Sequence, residues 1–145
     1  MNEIPIDPAA FLDRLTQESG VERAVLLTLD GLVKAASQGV SRNTMEATAA
    51  MTSGLLAAAR AASGAIAEPV TARRADGRLD MADGPRLRQV VAETDDGFLI
   101  VMDAGDLTAL AVWARGDADI GVVVSRALDM VAKLGAAVMS AKARP

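Results

Sequence analysis

One stretch, SRNTMEATAAMTSGLLAAARAASGAI (41–66), limits what this chain can fold into more than any other. Read as a helix at about 100° per residue, it places Glu46, Ser53 and Arg60 in one narrow polar stripe. On one side of that stripe lie Met45, Ala49, Leu56, Ser63 and Ile66, a face with some bulk. On the other lie Ala47, Met51, Gly54, Ala58, Ala61 and Ala65, small apart from one methionine. A helix with a single polar stripe and two apolar faces is covered from two directions. The bulky face suits a sheet and the small face suits another helix at close approach. That second helix is either one of this chain's own or its twin in a second copy.

At 145 residues, the chain is expected to form one domain (1–145) with a core of its own. Its formal charge of −4 and lack of a basic run argue against nucleic acid or an anionic membrane as the main partner. Phe11, Phe98 and Trp113 are its only aromatic residues, too few for a base-stacking platform. Without Cys or His there are no disulfides, no zinc sites of the usual ligands, no thiol nucleophile and no imidazole base. No basic-then-apolar leader and no apolar run of bilayer length are present. Thirty alanines supply much of the apolar fraction, favouring helix and tight packing over a thick core. These features predict a soluble, cytoplasmic protein without a cofactor.

The opening residues 1–7 read as a loose arm. Asp7-Pro8 is a helix start, with Asp as cap and Pro in the first turn. Phe11, Leu12 and Leu15 give that helix an apolar face, and Gly20 is placed to end it. In AVLLTLDGLVKAAS, Val25, Leu27 and Leu29 alternate before Asp30-Gly31, a strong hairpin signal. The long helix is then entered through Ser41 or Asn43, the latter with Glu46 as a capping-box partner. Residues 67–86 are polar and aperiodic, a long loop. Strand signals follow at 87–94, 98–102 and 107–113, separated by Asp- and Gly-rich turns, which make an antiparallel meander. Asp119 caps a last helix through Ile120, Val123, Ala127, Met130 or Val131, Leu134 and Val138, leaving a tail at 139–145. The order αββαβββα predicts an α/β sandwich with one five-stranded antiparallel sheet and helices on its faces.

Little here points to catalysis. Neither phosphate-cradling glycine loop is present. Asp76, Asp80 and Asp83, Asp95-Asp96, and Asp103 with Asp106 miss the ligand spacing of a calcium loop and suit turn chemistry. Glu93 and Asp95 form a possible carboxylate pair at a strand end but read as part of a turn. The arginines at 73, 74, 78, 86 and 88 alternate with acids, as on a solvated loop. Arg60 either favours the helix dipole or is presented to a partner. If the first and last helices share one sheet face, the long helix lies alone on the other with its small side uncovered. A symmetric pair of such helices would close that patch.

In this order, AVLLTLDGLVKAAS, the Ala- and Gly-rich helix, RQVVAETDDGFLIVMDAGDLTALAV and ADIGVVVSRALDMVAKLG resemble the roadblock/LC7 family, closest to short bacterial members encoded beside Ras-like GTPases. The resemblance covers roughly residues 8–138. It implies a profilin-like fold and a homodimer in which the long helices pair and the sheets join through the third strand. Carried onto this chain, the helix contact falls on Met51, Gly54, Ala58 and Ala61, and the edge strand on Val90, Val91, Ala92 and Glu93. Family members bind Ras-like small GTPases, and some bacterial ones stimulate hydrolysis without inserting a catalytic arginine. Glu46, Ser53 and Arg60 would then be the side chains offered to the GTPase. The expected function is a non-enzymatic regulatory homodimer. A ligand-sensing module and a plain dimerisation scaffold of the same shape are the alternatives.

Overall fold

The computed structural model describes residues 7–66, 72–73, 79–80 and 86–142. Helix α1 (Pro8–Leu15) begins where the Asp7 carboxylate accepts the Ala9 N–H at 3.0 Å, with Pro8 in the first turn as expected. It ends at Leu15, so Gly20 is not its stop. Gly20 instead takes φ +89° against Ala118, in the turn that leads into the sheet.

Strands β1 (Val21–Thr28) and β2 (Val33–Ala36) form the hairpin, with Gly31 at φ +94° in its turn. Helix α2 (Arg42–Ile66) follows. Inside the stretch expected to be a plain loop, β3 (Ala72–Arg73) and β4 (Leu79–Asp80) pair as a short antiparallel ladder. The meander is β5 (Gln89–Glu93), β6 (Gly97–Gly105) and β7 (Thr108–Arg115). Helix α3 (Ile120–Lys142) is capped by Asp119, whose carboxylate accepts the Val122 N–H at 3.2 Å. It runs through most of the expected tail. The arm at 1–6, residues 143–145 and the positions of Asp76, Asp83, Arg74 and Arg78 lie outside the described residues.

The main sheet has the order β2-β1-β7-β6-β5, every neighbouring pair antiparallel. Strand β7 sits in the middle and is buried on both faces, which is why residues 107–113 alternate so weakly. On one face α1 and α3 cover Leu26, Ile100, Met102, Leu110 and Val112 with Leu12, Leu15, Val123 and Leu134. On the other, α2 alone covers Leu27, Val101, Ala109 and Ala111 with Ala49 and Leu56. The placement of the helices is therefore the expected one.

Gly97 opens β6 where two strands nearly touch. A Cβ there would lie 2.2 Å from the Ala114 carbonyl oxygen and 3.1 Å from the Trp113 ring. We predict that Gly97→Ala forces β6 and β7 apart and costs about 1–3 kcal/mol. Chemical denaturation of the purified variant measures it, and an unchanged midpoint would refute the clash.

Candidate interaction surface

Ser41 starts α2. Its hydroxyl accepts the Thr44 N–H at 3.2 Å and its carbonyl accepts the Met45 N–H at 2.9 Å. With Ser41 as cap, Asn43 falls within the first turn, and the capping box with Glu46 does not form. The Glu46 carboxylate instead accepts Arg42 Nε at 2.8 Å, an exposed pair of the i,i+4 kind.

Three side chains of α2 are fully inside: Ala49, Thr52 and Leu56. Met45 and Ser63 are half-buried beside them, as the bulky face required. Ile66 departs from that expectation at 82% exposed. A helix of 25 residues is about 37 Å long, and its last turns run past what the sheet can cover.

The small face is open. Ala47, Gly54, Ala58, Ala61 and Ala65 are exposed, and Met51 is 76% exposed. A Cβ added at Gly54 would meet nothing within 4 Å. With α1 and α3 across the sheet, no described element covers this strip, so packing against the chain's own helices is not its use. At the sheet border, β5 pairs only with β6, and its other edge is free among the described strands. Val90 and Ala92 are half-buried, while Val91 (42% exposed) and Glu93 lie open.

The polar stripe is not continuous. Glu46 and Arg60 are exposed, but Ser53 is half-buried and its hydroxyl donates to the Leu29 carbonyl at 2.6 Å. That bond fastens the middle of α2 to the β1–β2 turn. Near the other end of the helix, the Asp103 carboxylate accepts Arg86 Nη2 at 2.6 Å and the Gly105 N–H at 2.8 Å. Partial burial pushes the Asp103 carboxyl upward. The Arg86 hydrogen bond, the Gly105 N–H and the charges of Arg86 and Arg60 outweigh it and hold the group below its ordinary range. Asp103 is thus engaged in turn and ion-pair bonding.

A groove of about 420 Å³ runs along the flank of α2 opposite Ser53. Its walls include Thr48, Thr52 and Leu55 of the helix and Arg23, Leu99 and Trp113 of the sheet. Sequence reasoning missed it. Thr44, Thr48 and Thr52, four residues apart on one helix flank, were the available signal; that Arg23 stands across from Trp113 needed the strand register. No group of three or more acids suited to a metal occurs among the described residues. No described helix is long and apolar enough to cross a membrane.

An antiparallel sheet of five strands between a pair of helices and a single one defines a profilin-like α/β sandwich. The family model of the Roadblock/LC7 domain matches residues 9–114. A Roadblock/LC7 domain from Streptomyces avermitilis is 32% identical, with 92% of this chain and 99% of that one covered and a TM-score of 0.72. MglB from Myxococcus xanthus is 18% identical, covering 95% of this chain and 99% of that one at a TM-score of 0.71. Profilin IA from Acanthamoeba castellanii, 17% identical over 88% of this chain and 96% of that one, has a TM-score of 0.58 and shares the fold. Among curated protein sequences none matches. The chain belongs to the Roadblock/LC7 domain family.

The Asp103 cluster sets a pH dependence. Its folded carboxyl is held low, so its contribution is complete above the unfolded value and lost as pH falls through the folded one. Because Arg86 is largely exposed, the effect is about 1 kcal/mol or less. We expect Asp103→Asn to lower stability at neutral pH and to flatten its acid dependence below about pH 4. Denaturation midpoints at pH 3 and pH 7 report this, and equal losses at both would refute it.

Proposed function

We propose that this chain is a regulatory homodimer that binds a Ras-like small GTPase and biases its nucleotide state. The observation that carries the reading is the open Ala/Gly/Met strip of α2 beside the free edge of β5, in a chain of the Roadblock/LC7 family. In the proposed pair, Met51, Gly54, Ala58 and Ala61 meet their twins across a two-fold axis. Small side chains let the two helix backbones approach closely, and the exposed Met51 gains an apolar neighbour. The Val90, Val91, Ala92 and Glu93 edges extend the sheet across the same axis.

Glu46 and Arg60 are the exposed polar side chains offered by the joined helices. Ser53 is already committed to Leu29 and contributes to the platform by holding it. Regulation requires only that the dimer bind one nucleotide state of the GTPase more tightly than the other. The proposed role is non-catalytic in its own chain, needs no cofactor and belongs in the cytoplasm. Stimulation of hydrolysis would act through the GTPase's own groups.

Two measurements test this reading. A Cβ at Gly54 meets nothing within 4 Å on an exposed face, and leucine replaces a helix-weakening residue, so Gly54→Leu is expected to keep the monomer fold. It should overpack the helix contact by about 1–3 kcal/mol, raising the dimer dissociation constant roughly tenfold or more in light scattering. An unchanged constant would place the contact elsewhere. Arg60→Ala should leave the dimer intact and reduce capture of the GTPase loaded with GDP or a GTP analogue. Equal capture of both nucleotide states by the unaltered protein would favour a scaffold instead.

A further inference from the structure

The groove beside α2 has the makings of a ligand site. Its sheet floor is the register row Arg23–Trp113–Leu99, three residues side by side on neighbouring strands. Leu55 and Met51 of the helix face that row across the opening. The volume of about 420 Å³ falls in the range of small-molecule sites, roughly 300–1,000 Å³.

Two polar features of the groove are Arg23 and Thr52. Arg23 is exposed at the groove and takes part in none of the ion pairs among the described residues. No carboxylate is among the described residues that line the groove, so none of them balances its charge from within. Thr52 is only 3% exposed and lines the groove, and among the described residues no buried side-chain oxygen or nitrogen is left without a partner, so its hydroxyl is not sealed away from the opening. Thr48, one turn earlier, donates to the Thr44 carbonyl at 2.7 Å, the usual way a helix threonine is satisfied.

We propose that this groove binds an amphipathic carboxylate, a single negative charge carried on a medium-length hydrocarbon body. The carboxylate oxygens meet Arg23 and the Thr52 hydroxyl, and the hydrocarbon lies against Leu55, Leu99 and the Trp113 ring. One cation suits one negative charge, whereas a phosphate dianion would be left half balanced. Met51 borders both the groove and the open strip of α2, which puts an occupant within reach of the helix contact.

Trp113 is the only tryptophan, so its emission reports occupancy directly. Decanoate, kept below its micelle concentration, should shift that emission saturably, while decyltrimethylammonium should not. Arg23→Gln should weaken decanoate binding roughly tenfold. Thr52→Val, which preserves shape, should weaken it several-fold and leave the melting temperature unchanged. A Thr52 hydroxyl that serves only the fold would instead lower the melting temperature and spare binding. Equal response to both amphiphiles, or Arg23→Gln binding like the unaltered protein, would overturn the proposal. Gly54→Leu should bind decanoate as the unaltered chain does. Binding that appears only in that variant would mean a second copy fills the groove, and would also overturn it.

Discussion

The packing of α2 on the sheet through Ala49, Thr52 and Leu56 is the contact on which the rest of the surface depends. Burying one leucine is worth roughly 1.5–3 kcal/mol, and an alanine much less, so this helix is held lightly. Across the sheet, α1 and α3 bring Leu12, Leu15, Val123 and Leu134 onto Leu26, Ile100, Met102 and Leu110. The two faces are therefore unequal. One face is a leucine-rich core that supports the fold, and the other carries a helix whose side chains are too short to cover much.

Short side chains have two geometric effects. They bring the helix axis close to Ala109 and Ala111, which present almost nothing for it to stand on. They also leave its flanks thin, so the groove by Trp113 stays open and the outer strip stays bare. Polar bonds compensate for weak apolar adhesion. Ser53 ties the middle of the helix to Leu29, and Arg60 adds its charge to the Arg86–Asp103 pair on β6. A helix held at these points can present its outward face without needing a thick core beneath it.

Much of this was legible in the chain because it depends on neighbours along the sequence. Asp7 and Asp119 cap their helices as their spacing indicated, and Asp30-Gly31 turns the hairpin. The helix wheel separated Ala49 and Leu56 from Gly54 and Ala58 correctly. The failures share a cause. Ser53 looked outward by spacing, but the β1–β2 turn reaches over to bond it, and that turn is distant in sequence. Ile66 looked inward by the same wheel, which carries no information about where the sheet ends. Neither the pairing of Asp103 with Arg86 nor the short β3–β4 ladder within 67–86 has a periodic signature.

The sequence by itself determined the three helices and the five strands of the main sheet, where most of them begin, and which side of the long helix is small. Those follow from local sterics, side-chain period and capping, all settled within a few residues. Only the tertiary structure decided that β1 lies beside β7, that Arg23 stands next to Trp113, and that Thr52 is buried at the groove they line. Strand register and the height at which a helix rests on a sheet come from the packing of the whole core, which no short window of residues contains.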